Sequence, residues 1–173
     1  LYVRRDLQDA LESPIRGWFG TDRPFDFSPD YRPAPGIARF AAGTPPILAL
    51  VALEAGVDAL LEVGMPELWS RSVRLTDRLI AGLDALGLET VTPRDPERRG
   101  SQVSVRHPEA WRIVRALLAE EVVPDFRPPS ILRFGLAPRW NDEADVDRAL
   151  AMLGAIVREE RWRDHSPERP VVT

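Results

Sequence analysis

A two-layer α/β unit, with helices on one face of a mainly antiparallel sheet, is the fold class that this sequence of 173 residues predicts. Three patterns predict it. Short β-type runs near 88–92, 101–106 and 131–136 are interleaved with helical stretches, so strands and helices share one layer pair. The helical stretches carry apolar residues at a 3.6-residue period. The run Ser101–Arg106 alternates, with Val103 and Val105 on one face, as a half-buried strand does.

Taken in order, residues 1–35 are rich in Pro, Asp and Arg and poor in periodicity, a weak start for a domain. Pro46 to Val63 is apolar on nearly all sides, which predicts a largely buried helix ending at Gly64. Thr44 is expected as its N-cap, with a proline in the first turn. Pro66 opens a second helix whose stripe (Leu68, Leu75, Leu79, Leu83, Leu86) runs to Gly87. Leu88–Thr92 is a strand closed by Pro93-Arg94-Asp95-Pro96, and Ser101–Arg106 is the next. A helix over 108–121 leads into an extended piece at Val122-Val123 and a strand at 131–136. Asn141 is expected to cap a last helix, with Asp142, Glu143 and Asp145 in a first turn that suits its dipole. Beyond Arg161 the pattern is polar and aperiodic, which predicts a mobile tail.

Composition narrows the chemistry. Hydrophobic residues make up 44% and charged residues 29%, enough for one packed core. The net charge of −4 gives no general attraction to nucleic acid, and no apolar run is long enough to predict a membrane span. Cysteine is absent, which removes thiolate catalysis, disulfides and cysteine metal sites and makes the cytoplasm the expected compartment. All 23 basic residues are arginine. Without a lysine the chain has no side chain able to form an imine. No histidine spacing suggests a metal site, and His107 and His165 are poor candidates for acid–base work.

Three residues stand out. Thr44, between Gly43 and two prolines at a helix start, reads either as a simple cap or as part of an anion site. Trp18, within Gly17-Trp18-Phe19-Gly20, is either a hydrophobic plug or an indole N–H donor suited to a phosphate. Arg133 lies within the strand Ile131-Leu132-Arg133-Phe134-Gly135, opposite Leu132 and Phe134. It points either to solvent or into a cleft, where its planar fork can hold a carboxylate.

The ordered set of Gly17-Trp18-Phe19-Gly20, Pro35-Gly36-Ile37-Ala38-Arg39-Phe40, Gly43-Thr44-Pro45-Pro46-Ile47, Thr92-Pro93-Arg94-Asp95 with Arg99-Gly100-Ser101-Gln102-Val103, and Asp125-Phe126-Arg127 with Ile131–Gly135 resembles the kynureninase family from about Tyr2 to Val157. The resemblance implies the C-terminal part of a pyridoxal-phosphate-dependent transferase fold (type I, class V aminotransferase-like). It implies hydrolysis of L-kynurenine to anthranilate and L-alanine in tryptophan catabolism. Residues 1–44 would end the cofactor-binding large domain, 45–87 would be linking helices, 88–160 the small domain and 161–173 the tail. Trp18 would donate to the cofactor phosphate, Thr44 would do so from the partner's side of a homodimer, and Arg133 would bind the substrate's α-carboxylate. The family's Schiff-base lysine, and the residues against the cofactor ring, would precede Leu1. The expected partners are therefore the missing N-terminal part, a second copy and a small-molecule substrate, and the isolated chain is expected to be inactive. A cysteine-desulfurase-like enzyme and a non-enzymatic α/β interaction module are the alternatives.

Overall fold

The computed structural model describes residues 1–169. The chain divides into two compact units, Leu1–Asp58 and Ala59–Thr173.

The first unit has little regular structure. It holds a single-turn helix α1 (Arg5–Gln8) and 3-10 turns at Trp18–Gly20 and Gly36–Phe40. An isolated bridge pairs Thr21 with Pro33, and the Tyr31 hydroxyl donates to the Gly20 carbonyl at 3.0 Å. Arg39 ties these pieces together. Its Nε donates to the Ala34 carbonyl (3.1 Å), Nη1 to the Asp9 carbonyl (2.8 Å) and Nη2 to the Asp9 carboxylate (2.8 Å). A planar group with five donors can satisfy several loop acceptors at once, which makes arginine the natural tie where no core exists.

Helix α2 spans Ile47–Val63. Two expectations are corrected here. The first intrahelical bond runs from the Leu50 N–H to the Pro46 carbonyl, so Pro46 occupies the cap position and Thr44 lies two residues outside the helix. Thr44 and Pro45 both precede prolines, which disfavours helical backbone at each. The helix expected to be largely buried contains no buried residue, and Leu48 is 87% exposed. A helix apolar on nearly all sides, with only Glu54, Asp58 and Glu62 forming a polar stripe, needs a covering surface, and the described residues do not supply it.

The second unit carries the core. Gly64, at a φ of 82° that favours glycine, turns the chain into α3 (Met65–Ala85), with Pro66 in the first turn. Then come β1 (Glu89–Thr90), β2 (Gln102–Arg106), α4 (Ala110–Ala119), β3 (Asp125–Arg127), β4 (Ile131–Gly135) and α5 (Glu143–Arg158). The strands form an antiparallel sheet in the order β1-β2-β4-β3. Val103, Val105, Leu132 and Phe134 face Leu79 and Leu83 of α3, Ile113 and Leu117 of α4, and Leu153 and Ile156 of α5. The helices therefore cover one face and leave the other open. Strand β3 is an addition to the expected three strands, and β1 is shorter than Leu88–Thr92. The α5 cap is Asp142 rather than Asn141. Asp142 accepts from the Asp145 N–H while Asp145 accepts from the Asp142 N–H, closing a capping box. Asn141 instead accepts from the Ala137 N–H at 2.8 Å.

Past α5, a 3-10 turn at Arg161–Asp164 lays the half-buried Trp162 against the core. Arg112 donates to the carbonyls of His165 (2.8 Å) and Arg163 (2.6 Å), and Trp111 Nε1 donates to the Glu168 carbonyl (2.9 Å). The rest of the expected tail, 170–173, lies outside the described residues.

Candidate functional site

In the first unit, the Gly17–Gly20 turn is pressed against the backbone of 39–42. A Cβ on Gly17 would overlap the Ala42 carbonyl outright. One on Gly20 would stand 2.8 Å from the Ala41 oxygen and 2.9 Å from the Arg39 oxygen. Both glycines are thus required by close approach of two backbones. The consequence is positional: Trp18 Nε1 lies 4.0 Å from where a Cβ on Gly43 would sit. Two motifs 25 residues apart in sequence are thereby brought side by side, with Thr44 next in the chain. Trp18 is held edge-on to Phe19 and Phe25, at centroid distances of 4.3 and 5.9 Å, and remains 48% exposed. Just beyond, the N–H groups of Ile47, Leu48 and Ala49 precede the first intrahelical bond and have no helical acceptor. An indole donor beside Gly43, with a hydroxyl and a helix start next in the chain, is donor chemistry suited to a dianionic phosphate.

Arg133 belongs to the second unit. It sits on the central strand β4 between Ser104 of β2 and Asp125 of β3, on the open face of the sheet. Its Nε donates to Asp125 Oδ2 at 3.0 Å, and its Nη2 pairs with the same oxygen. Arg127 reaches that oxygen at 3.0 Å. The hydrogen bond from Arg133, helped by the nearby Arg127 charge, holds the Asp125 carboxyl below the usual carboxylate range despite some desolvation. The Arg133 side chain is 26% exposed, so neither the core nor bulk solvent claims it.

Asp125 stands in the sequence with no role assigned to it by pattern alone. The signal was its place eight residues before Arg133, on the neighbouring strand of a tight hairpin. Arg99 is structural: its side chain is 2% exposed, pairs with Asp77, and donates to Thr76 Oγ1 at 3.1 Å and to the Pro93 and Arg94 carbonyls. Among the described residues, no group of three or more His, Cys, Asp or Glu could hold a metal ion, and no helix is long and apolar enough to cross a membrane.

This fold recurs in solved structures. A cysteine desulfurase from Thermococcus onnurineus NA1 in its apo form superposes with a TM-score of 0.77 at 22% identity, covering 91% of this chain and 42% of that one. A mutant of C-DES with glycine covalently linked to the PLP cofactor superposes with a TM-score of 0.72 at 20% identity, covering 88% and 40%. The fold is thus that of the pyridoxal-phosphate-dependent enzymes related to cysteine desulfurases. Residues 68–153 match the family described as Kynureninase C-terminal domain. Kynureninases of Burkholderia mallei (strain SAVP1) and Pseudomonas fluorescens are each 38% identical to this chain over 94% of its length. The chain belongs to the kynureninase family. It spans about 40% of the length of these curated relatives.

Proposed function

We propose that this chain is the C-terminal part of a homodimeric pyridoxal-phosphate-dependent hydrolase that cleaves L-kynurenine to anthranilate and L-alanine. The observation that carries the reading is the juxtaposition of Trp18 Nε1 with Gly43, the residue before Thr44, in a chain whose relatives are kynureninases. In this reading residues 1–44 close the cofactor-binding domain, 45–87 link, and 88–160 form the small domain.

The residues present fit the phosphate end of the cofactor. Trp18 donates its indole N–H and Thr44 its hydroxyl, and the absence of a side chain at Gly43 leaves room beside the indole. Trp18 serves the phosphate of its own subunit, and Thr44 does so from the partner's side of the dimer. When bound, the cofactor supplies the electron-withdrawing ring on which carbon–carbon cleavage depends. The residues present do not fit its covalent attachment, since the chain contains no lysine. Arg133 holds the substrate's α-carboxylate with a charge-assisted pair and so orients the bond to be broken.

Anthranilate fluorescence tests this. The full-length polypeptide turns over L-kynurenine, and the 173-residue chain alone does not. Turnover of L-cysteine instead of L-kynurenine would give the assignment to the desulfurase alternative. In the full-length enzyme, Arg133→Lys raises KM about ten- to a hundredfold, because one charged hydrogen bond is worth roughly 1.5–3 kcal/mol and an ammonium cannot reproduce the fork. An unchanged KM would place Arg133 on a plain solvent face.

A further inference from the structure

We infer that Asp125 is the positioning residue of the Arg133 clamp: it grips one edge of the guanidinium and leaves the other edge presented to an incoming carboxylate. The inference rests on the reading of Arg133 given above.

Register makes the contact obligatory. Asp125 and Arg133 are direct partners across the β3–β4 ladder, and Leu132 and Phe134 on either side of Arg133 are buried, so both polar side chains share the open face. Both observed contacts from Arg133 use the same edge, Nε at 3.0 Å and Nη2, and both end on a single oxygen, Oδ2. The Nη1–Nη2 end of the fork is the edge this grip leaves over. A carboxylate arriving there meets two donors in one plane. Ser104, the partner of Arg133 on β2, is uncharged and does not compete for the guanidinium as a carboxylate would.

Two effects of Asp125 oppose each other. Its negative charge works against capture of a second carboxylate, while its grip removes rotamer freedom that arginine would otherwise lose on binding. Geometry decides which is larger. Asp125 is 46% exposed, so its field at a ligand is screened by water. Arg127 reaches the same Oδ2 at 3.0 Å, so two guanidinium groups share one carboxylate and the cluster stays net positive. The charge penalty is thereby offset, and the orienting effect remains. Asp125 accordingly strengthens carboxylate binding even though it is itself a carboxylate.

The test uses the full-length enzyme loaded with pyridoxal phosphate, comparing KM and kcat for L-kynurenine with the inhibition constant of the corresponding amine that lacks the α-carboxylate. Asp125→Ala raises KM about tenfold, leaves kcat within about threefold, and leaves the inhibition constant of the decarboxylated amine unchanged. Asp125→Asn keeps an oxygen acceptor without the charge, so it raises KM only about threefold. A purely structural role would move both ligands together. A KM that falls in Asp125→Ala shows that Asp125 competes with substrate, and a KM that stays constant shows that the grip is idle; either overturns the inference. If Arg133→Lys also leaves KM unchanged, the reading of Arg133 fails as well. If Arg133→Lys raises KM while Asp125→Ala does not, only the positioning role is lost. Should Asp125→Ala fail to fold, Asp125→Asn decides by the same comparison of ligands.

Discussion

The two units of this chain are held together by different physics. In Leu1–Asp58, Ala34 is the only buried apolar residue, while Ile15, Trp18, Phe25, Phe27, Ile37 and most of α2 are exposed. Cohesion there comes from Arg39, from backbone hydrogen bonds and from the fit of Gly17 and Gly20 against 39–42. In the second unit a continuous core runs from Leu75 through Val103, Leu117 and Leu132 to Ile156. Hydrophobic burial is the main favourable term in folding, so the second unit has its own driving force and the first lacks one. Large exposed apolar surface is a common feature of protein interfaces. The difference teaches that the proposed phosphate-site motifs sit on a part of the chain that lacks a packed core of its own. The proposed carboxylate clamp sits on a part that has one.

Hydrogen exchange on a verified monomer tests this with the largest expected effect. Amides of β4 exchange only through global opening, which for an ordinary domain means slowing by about a thousandfold or more. Amides of residues 15–44 exchange at least about a hundredfold faster than these, since little burial resists their opening. Equal protection of the two regions would show that the chain is self-sufficient and would remove the case for a missing partner surface.

Paired truncations sharpen the same contrast. Leu83, fully buried between α3 and the sheet, loses about 2–5 kcal/mol of unfolding free energy on Leu83→Ala. Leu48→Ala, on the exposed apolar helix, changes it by less than about 0.5 kcal/mol. Urea denaturation of each variant reads the difference. A loss at Leu48 comparable to that at Leu83 would mean that α2 is covered in solution.

What the sequence made legible follows the same division. The alternation in Ser101–Arg106 and the stripe from Leu68 to Leu83 predicted the sheet face and α3 because their period is set by their own backbone. The apolar run after Pro46 predicted a helix correctly, but its burial depended on surfaces that periodicity does not report. Strand β3 escaped because Asp125-Phe126-Arg127 is only three residues long, sits between prolines and shows no usable alternation. Thr44 looked like a cap because Gly-Thr-Pro-Pro fits one; two prolines in succession instead put the first helical bond on the Pro46 carbonyl. For Arg133, alternation supplied the correct face of the strand. It could not supply Asp125, which reaches Arg133 only through cross-strand register.

A smaller effect is expected at Arg99. This guanidinium is enclosed where α3 meets the 93–99 loop, and Arg99→Ala removes the donor to the Pro93 and Arg94 carbonyls, while Thr76 Oγ1 keeps its bond to the Ser72 carbonyl. Leaving such groups unpaired costs about 1–3 kcal/mol. Arg99→Lys recovers little, because one ammonium cannot reach acceptors spread around a planar fork. A lysine variant as stable as the parent would show that charge alone holds the loop.

The smallest expected effect is a pH dependence with two steps, both in the second unit. His107 is half-buried, and its Nδ1 accepts from the Glu109 N–H at 3.0 Å. Burial holds its pKa below 6.5, with the Glu109 charge opposing. The unfolded chain therefore takes up a proton first as the pH falls, and stability declines from about pH 6.5 downward until the folded imidazole also protonates. The carboxylates work at lower pH. Arg94 lowers Asp84, Arg133 lowers Asp125, the Asn141 amide and the Asp142 N–H lower Asp145, and Arg78 lowers Asp147. Each is held below 3.8, so its contribution is complete above that value and is lost as the pH drops through its folded pKa. All four are exposed to solvent, which keeps each share small. Denaturation midpoints between pH 7.5 and 3 should thus fall gently near 6 and again below 4. His107→Asn keeps an oxygen to accept from the Glu109 N–H but carries no titrating group, so it abolishes the upper step and leaves the lower one intact. An unchanged upper step in that variant would move the titration away from His107.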